Sequence, residues 1–454
     1  MNRRMKIIGL IFMVLVGFGT CRLNGQVSDS PRLLILMNNG SSSSEQQSFI
    51  RLILFSNEFD IKGFVYNSPE STTFDAYIPI LKAYKKVYPN LQLYDNRYQQ
   101  SDVLTSLFKA GNPGRGASFI GENHDTEGSD WIIETADESQ DNLNIAVWGG
   151  QTDLVQALWK VKNTRTYDDY FAFISHLRVY DCNDRDGLSE MIRTDFPELF
   201  YILDRAPEGT PADESVNIGF YSGGDESLSS SEWLAANVLS GNGPLADLYM
   251  ESLKGSGGMQ EKYSTSWLFF LPSGLQDPAH PEWGGFGGRF NREKENVFLV
   301  GDDFAGGEIS VYGTVYRWRE YYQADFANRM QWCVRHPSQV NHPPRLVLNN
   351  DDSRETLLID ASEGETVTIS SIGTDDVDGD SLSYLWWIYP EAETAHQCPE
   401  MWPIDQPDVA VELPMGEAGN EMHLIFQVTD NGEPALTRFR RVIFRIGEEE
   451  QIGF

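Results

Sequence analysis

The sequence predicts an α/β domain with a mostly parallel sheet flanked by helices, followed by a smaller all-β domain. From Pro31 onwards, short apolar runs alternate with segments whose apolar residues recur at helical spacing. From residue 343 to residue 449, short β-branched runs are instead separated by turn residues. The length of 454 residues suits two or three domains.

Strands and helices alternate along the first domain, which we place at residues 26–342. Ser42 and Glu45 have the spacing of a capping box, so the serine-rich turn is expected to begin the first helix. The helix over residues 74–87 is expected to end before Pro89. The predicted pairs are strand 33–37 with helix 45–55, strand 61–66 with helix 74–87, strand 143–148 with helix 152–161, and strand 177–182 with helix 188–196.

Four polar segments directly follow predicted strands. Alternating strands and helices imply right-handed crossovers and a parallel sheet, in which ligands bind beyond the carboxyl ends of the strands. We therefore expect these segments to converge on one edge of the sheet, called the rim below. The segments are residues 38–45, 67–73, 149–153 and 181–186.

The second domain is expected to be an immunoglobulin-like β-sandwich that follows a linker at residues 341–344. Its predicted strands are residues 366–369, 382–389, 422–429 and 438–446. The segment 376–380 resembles part of a calcium loop, although a tight turn explains it better. Trp386 and Trp387 are adjacent in a strand, so they point to opposite faces. One is expected in the core, and the other either packs at a domain interface or, with Trp402, stacks on sugar rings.

The N-terminus has the pattern of a signal peptide over residues 1–25, with basic residues before an apolar run. Soluble export is favoured over lipid attachment at Cys21, and no later run is long enough to span a membrane. Cys182 and Cys333 are interpreted as buried small apolar residues. The charge of −32 disfavours nucleic acids and anionic membranes as partners but is compatible with sugars, nucleosides and divalent cations. Nothing in the sequence indicates an oligomeric state.

Several stretches of the chain resemble one known family. They are FSNEFDI at 55–61, DTEGSDW at 125–131, VWGG at 147–150, LRVY at 177–180, FPELFYI at 196–202, WGGFGGR at 283–289, DFANRM at 325–330 and DGDSLSY at 378–384. Together they make the chain similar to the cellulose-binding family with a nucleoside-hydrolase-like N-terminal domain and a small C-terminal β-sandwich. The resemblance implies a carbohydrate or nucleoside-like ligand.

The resemblance also implies a cluster of aspartates that hold Ca²⁺, which orients a water molecule and the ribose hydroxyls. This chain departs from that pattern, because Asn38, Ser44 and Glu45 stand at the aspartate positions and Tyr263 at a later one. Ca²⁺ binding at these positions is therefore expected to be weak or absent. Three functions stay open: a hydrolase homologue that acts on or binds glycosyl compounds, a non-catalytic protein that binds cellulose or another glycan, and a structural surface module without a small ligand.

Other acidic residues are candidates to compensate for the lost aspartates. Asp184 and Asp186 follow a strand, although a turn and a helix cap also explain them. Asp125 and Glu127 lie in a stretch that matches the family, although they also suit the start of a helix. The catalytic candidates are Glu45, Asp125, Glu127, Asp184 and Asp186. The candidate substrate contacts are Asn38, Asn67, Trp148, Gln151 and Arg289. The candidate metal ligands are Asn38, Ser44 and Glu45.

Overall fold

The computed structural model describes residues 30–38, 40, 42–67, 72–205, 215–255 and 257–448. The predicted signal peptide and Cys21 lie outside these residues. Within the described ranges, no helix is both long enough and apolar enough to cross a membrane.

The first domain is built on an eight-stranded sheet with the order β3-β2-β1-β4-β5-β6-β8-β7. The strands from β3 to β8 in this order pair in parallel, and β7 adds an antiparallel edge. A separate hairpin is formed by β9 and β10. The strands are β1 Arg32–Met37, β2 Asp60–Tyr66, β3 Phe108–Ala110, β4 Leu143–Val147, β5 Leu177–Cys182, β6 Phe200–Asp204, β7 Phe290–Lys294, β8 Val297–Val300, β9 Asp303–Ala305 and β10 Glu308–Ser310.

Helices cover both faces of this sheet, as the alternating pattern predicts. Leu33, Ile35 and Met37 of β1 belong to one buried cluster, whereas Leu34 and Leu36 belong to the cluster on the opposite face. The helices are α1 Ser43–Leu54, α2 Thr72–Tyr94, α3 Ser101–Ser106, α4 Glu127–Asp137, α5 Gln151–Thr164, α6 Tyr167–Ser175, α7 Ser189–Asp195, α8 Ser231–Leu234, α9 Pro244–Ser252, α10 Ser264–Leu268, α11 Gly313–Tyr316 and α12 Arg319–Gln331.

Local sequence signals fix the start of α1 but not the end of α2. Ser42 caps α1 as predicted, because its hydroxyl accepts a hydrogen bond from the Glu45 amide. The prediction that α2 ends before Pro89 was wrong, because the helix continues to Tyr94. Pro89 has no amide hydrogen to donate within the helix, but tertiary contacts beyond it compensate for the missing hydrogen bond. Leu91 is fully buried, and the Tyr94 ring stacks on Trp332 at 4.7 Å.

The second domain is a β-sandwich of two sheets with the orders β11-β17-β16-β13 and β12-β15-β14. The two sheets enclose a core of their own, and the predicted linker at residues 341–344 lies between α12 and the first of these strands. All four predicted strands are present. The strands are β11 Leu357–Ser362, β12 Thr366–Ile369, β13 Ser383–Ile388, β14 Glu400–Trp402, β15 Val409–Glu412, β16 Glu421–Thr429 and β17 Thr437–Gly447.

The two domains are joined by buried polar contacts as well as by apolar packing. Arg441 of the sandwich donates to the carbonyl oxygens of Leu275, Trp283 and Gly284 in the first domain. Phe439 belongs to the same buried cluster as the core of the first domain. The contact therefore extends the hydrophobic core across the boundary.

Candidate functional site

The described residues of the four predicted loops lie together at the rim, because β2, β1, β4 and β5 are neighbours in the sheet, and residues 39, 41 and 68–71 lie outside the described ranges. Gly149, which follows β4, packs so closely on Asn38 after β1 that an added Cβ would lie 3.0 Å from the Asn38 Cβ. Gly150 has a φ of +74° and lies beside Asn67, which follows β2. The small residues after β4 thus allow the neighbouring loops to approach each other.

Glu45, a candidate catalytic residue and metal ligand, is fully buried and holds the loop that follows β1. Its Oε1 accepts hydrogen bonds from the Asn38 amide at 2.8 Å and from the Tyr77 hydroxyl at 2.7 Å, and its Oε2 accepts from the Gly40 amide at 3.0 Å. Burial raises the pKa of Glu45 although these hydrogen bonds oppose it. Its carboxylate is thus committed to shaping the loop.

Asn38 and Asp186 are connected by a guanidinium group that the sequence did not indicate. Arg115 donates from Nη2 to Asn38 Oδ1, and its Nε lies 3.8 Å from Asp186 Oδ1. The other oxygen of Asp186 accepts from the amide and the hydroxyl of Thr152, at 3.0 and 2.8 Å. A fixed positive charge thus lies between two oxygen groups at the rim.

Gln151 links the start of α5 to the loop that follows β5. Its Nε2 donates to Asp181 Oδ2 and to Asp184 Oδ1, and its Oε1 accepts from the Asp186 amide at 2.8 Å. Asp184 also accepts from the amide and hydroxyl of Ser189, the first residue of α7. These bonds support the interpretation of this acidic segment as a turn and helix cap, and they place Gln151 in the centre of the rim.

Asp181 is the most perturbed acid of the rim. It is fully buried at the end of β5, and burial raises its pKa to about 8. The hydroxyl of Tyr201 donates to its Oδ2, whereas its Oδ1 has no hydrogen-bond partner within the described residues. At neutral pH this pKa favours the protonated form of Asp181 when no cation is bound.

The aromatic residues Trp148 and Tyr263 form the floor of the rim beneath these loops. Trp148 is fully buried, stacks on Tyr263 at 5.6 Å and donates from Nε1 to the Ser266 hydroxyl. Two cationic groups lie over the ring of Tyr263, Arg185 Cζ at 5.6 Å and Lys262 Nζ at 5.5 Å. The position that the resemblance assigns to an aspartate is thus surrounded by positive charge.

The predicted ligands Asn38, Ser44 and Glu45 do not fit a calcium ion. Asn38 Oδ1 faces a guanidinium, both oxygens of Glu45 are engaged, and the Tyr263 position adds cations instead of a carboxylate. The third predicted ligand, Ser44, contributes at most a neutral hydroxyl oxygen. Ca²⁺ requires several free oxygen ligands with negative charge.

Asp125 and Glu127 flank the start of α4 and contact residues outside the four rim loops. Asp125 accepts from Gln156 at 2.7 Å and from Lys160 at 2.8 Å. Glu127 accepts from the Ala110 amide at 3.1 Å. Thr126 between them caps the helix through a capping box with Ser129, so this segment has the helix-start role that the sequence left open.

Arg289 also lies apart from the rim loops, at the start of β7. It donates to Asp303 Oδ1 at 2.7 Å, and the same carboxylate accepts from Arg317 and from Tyr389 of the sandwich at 2.8 and 2.6 Å. These contacts make Arg289 part of the interface between the domains. Asn67, in contrast, is buried at the rim, and its Oδ1 has no partner among the described residues.

A second candidate site is a groove where the β9–β10 hairpin and the start of α12 meet β13 and β16. Its volume is about 500 Å³, within the usual range of ligand sites. Trp386 is buried in the sandwich core, whereas Trp387 on the opposite face is half-buried and lines the groove, as the alternation predicts. The groove is lined by Gly224, Asp225, Phe304, Ala305, Gly306, Tyr316, Arg317, Trp318, Tyr321, Leu385, Trp387 and Gln427.

The groove combines aromatic surface with polar side chains. Phe304 is 61% exposed, and Tyr321 is half-buried with its hydroxyl 3.5 Å from Gln427 Oε1. Arg317 lies 5.5 Å from the Trp387 ring and is held by Asp303. Aromatic side chains together with amide and guanidinium groups suit a ligand that has both apolar faces and hydroxyl groups. Trp402, which is exposed, lies in the opposite sheet and does not line the groove.

Two family models match the chain. The model described as cellulose-binding Sde182, nucleoside hydrolase-like domain, matches residues 32–290, and that of the cellulose-binding protein Sde0182, C-terminal domain, matches residues 366–446. The chain is also similar to a solved structure described as a nucleoside hydrolase-related hypothetical protein from Saccharophagus degradans that is associated with carbohydrate metabolism. The identity is 28% and the TM-score 0.79, over 92% of this chain and 100% of that one. None of the curated proteins gives a significant match.

Proposed function

Because the chain belongs to the family of cellulose-binding Sde182 proteins with a nucleoside hydrolase-like domain, we propose that it is an exported carbohydrate-binding protein. We assign glycan binding to the groove between the domains, and the observation that carries this assignment is its aromatic lining. The apolar faces of glucose rings stack on Trp387 and Phe304, while Gln427 and Arg317 supply hydrogen bonds to hydroxyl groups. Trp387 packs on Trp318, and Tyr321 packs on Phe439 across the domain boundary, and this order before binding lowers the entropic cost.

The state of the rim supports binding rather than calcium-dependent hydrolysis. Glu45 and Asp184 are engaged in holding loops, and Asp181 has a pKa of about 8. Arg115 brings a positive charge to the rim, where calcium-dependent hydrolysis would need a bound Ca²⁺. A repelled cation cannot activate water, so the metal-dependent route has no support here.

The test of the groove compares the binding of three proteins to insoluble cellulose: wild type, W387A, and W402A as an exposed tryptophan outside the groove. If the Trp387 ring covers a sugar face of roughly 80 Å², its loss costs about 2 kcal/mol, or roughly 30-fold in Kd. We expect W387A to bind much more weakly while W402A binds like wild type. Equal depletion of all three proteins from solution would refute the assignment to the groove.

A second candidate function, recognition of a small sugar or ribosyl compound at the rim, rests on unpaired oxygens. Within the described residues, the buried atoms Ser44 Oγ, Asn67 Oδ1, Asp181 Oδ1 and Asp186 Oδ1 have no hydrogen-bond partner. Buried polar atoms without hydrogen-bond partners are costly, and sugar hydroxyls, which both donate and accept, would satisfy them.

This second function is tested with nucleosides and aryl glycosides as substrates and with ribose as a ligand. If the rim hydrolyses a glycosyl bond, alanine variants of Glu45, Asp125, Glu127, Asp184 and Asp186 identify the groups that carry the reaction. Turnover that survives all five single changes would exclude these residues as catalytic. Ribose binding without turnover would instead favour a recognition site.

Export is part of the same proposal, because cellulose is an extracellular polymer. The signal-peptide pattern predicts a mature chain that begins after Gly25. Mass spectrometry of the protein purified from its native host tests this. A lipid-modified Cys21 at the N-terminus would instead show membrane anchoring.

A further inference from the structure

Three carboxylates come together in the turn between β12 and β13. One oxygen of each of Asp376, Asp378 and Asp380 lies within 4.8 Å of the other two. Asp376 Oδ1 accepts from the Asp378 and Asp380 amides at 2.8 and 3.2 Å, which confirms the predicted tight turn. Its Oδ2 is buried and has no hydrogen-bond partner among the described residues.

A fourth carboxylate, Asp430, lies in the neighbouring turn between β16 and β17. It is 4% exposed, and its Oδ2 is also buried without a partner in the described part of the chain. Its Oδ1 accepts from Asn341 Nδ2, the Gly432 amide and the Leu436 amide at 2.9–3.0 Å.

Two observations place the Asp430 turn against the Asp376–Asp380 turn. Asn431 Oδ1 accepts from the Ser381 amide at 2.8 Å, which holds the turns side by side. Ser383 of β13 pairs with Thr429 of β16, so the chain segments that adjoin the two turns are neighbours in the sheet. The Asp430 carboxylate thus adds its negative charge to that of the cluster.

The linker between the domains contacts both the Asp376–Asp380 turn and Asp430. Asn341 donates to Asp430, and the amide of the next residue, His342, donates to Asp378 Oδ2 at 2.7 Å. Asn341 is 7% exposed, and its Oδ1 is a further buried oxygen without a partner in the described ranges. The carbonyl of Asn341 accepts from Asn328 of α12 in the first domain at 3.1 Å.

We propose that a calcium ion binds between the Asp376–Asp380 turn and Asp430 and fixes the linker at Asn341 to the sandwich. The buried, unpaired oxygens of Asp376 and Asp430 are hard ligands of the kind that Ca²⁺ prefers, while both oxygens of Asp378 lie 3.0 Å from His342 Nδ1. Carboxylates crowded in this way repel each other, and a divalent cation removes that repulsion. The ion stabilises the junction of the two domains and is independent of the rim.

The test is calorimetric titration of the mature chain with CaCl₂ after treatment with EDTA. We expect one ion per chain, with a Kd on the order of 10⁻⁴–10⁻³ M as in extracellular calcium modules. D376N and D430N keep the side-chain shape and remove one charge each, so each should weaken binding by at least about 10-fold. D405N, at an exposed aspartate of the same domain, and D186N, at the rim, should bind like wild type.

Thermal unfolding, measured with and without CaCl₂, distinguishes a loss of calcium binding from a failure of the variant to fold. CaCl₂ should raise the midpoint of wild type and D186N but not that of D376N, while all proteins unfold cooperatively in EDTA. If D430N fails to fold, D380N replaces it. Absence of saturable binding at millimolar CaCl₂, or binding that D376N and D380N leave unchanged, would overturn the proposal.

Discussion

Replacing Asp181 with asparagine tests whether the buried acid of the rim is protonated in the folded protein. Burial raises its pKa from 3.8 to about 8. In the unfolded chain the group ionises near pH 4, so the folded state binds one more proton than the unfolded state between about pH 4 and 8. The stability that this group contributes is therefore complete below pH 4 and is lost as the pH rises towards 8.

The size of the effect follows from the difference in pKa. About four pH units at about 1.4 kcal/mol each correspond to about 6 kcal/mol, of which about 3–4 kcal/mol falls between pH 5 and 8. Asparagine does not ionise, so D181N lacks this pH dependence. We expect the free energy of unfolding of D181N to rise relative to wild type by about 3–4 kcal/mol over this range.

The assay is urea unfolding followed by tryptophan fluorescence at pH 5, 6, 7 and 8, with D168N at an exposed helix position as the control. D168N should keep a constant difference from wild type at every pH. A constant difference for D181N as well would show that Asp181 is ionised in the folded protein. It would then become a candidate catalytic base, and the argument against hydrolysis at the rim would lose one of its supports.

Two further predictions concern the buried charges and thiols. Although burial opposes it, the charges of Arg329 and Arg354 lower the pKa of Glu58 to about 2, so its contribution is complete at pH 7 and is lost as the pH falls from about 4.5 towards 2. The free energy of unfolding of E58Q at pH 7 should therefore be about 3 kcal/mol lower than that of wild type. In urea titrations at pH 3, this difference between E58Q and wild type should be smaller by about 2 kcal/mol. A difference that is the same at both pH values would contradict the effect of the two arginines on Glu58. Burial raises the pKa of the Cys182 and Cys333 thiols, so native iodoacetamide labelling followed by mass spectrometry should modify only Cys398 of these three, and rapid labelling of either buried thiol would contradict the packing.

The sequence predicts the fold well where local signals and burial agree. The apolar runs of β1 and β5 are buried on both faces, and Ser42 caps α1 through a short-range bond that the residue spacing reveals. The continuation of α2 past Pro89 could not be predicted, because it depends on the contact of Tyr94 with Trp332, far along the chain. Strands β3 and β9 are only three residues long and carry no clear pattern of their own.

The candidate site is predicted in its location but not in its chemistry. The rule for parallel sheets places Asn38 and Gln151 correctly at the rim. It does not reveal that Arg115 reaches Asn38 from 77 positions away, or that Tyr77 donates to Glu45. Arg289 illustrates the opposite case, since its position in a matching stretch suggests a substrate contact while its bonds lie at the domain interface.

The groove between the domains could not have been derived from either domain alone. Alternation in β13 separates Trp387 from the buried Trp386, but the facing wall comes from the β9–β10 hairpin and from Tyr321. Only the packing of the sandwich on the first domain brings these rings together. This explains why the sequence left stacking on sugars and packing at an interface as alternatives for these tryptophans.

The most direct measurement of the central claim is calorimetric titration of the mature chain with cellohexaose, comparing wild type, W387A and W402A. Binding at the groove predicts saturable heat for wild type and W402A and a Kd roughly 30-fold weaker for W387A. Absence of binding by the wild-type protein, or equal affinity of wild type and W387A, would contradict glycan binding at this groove.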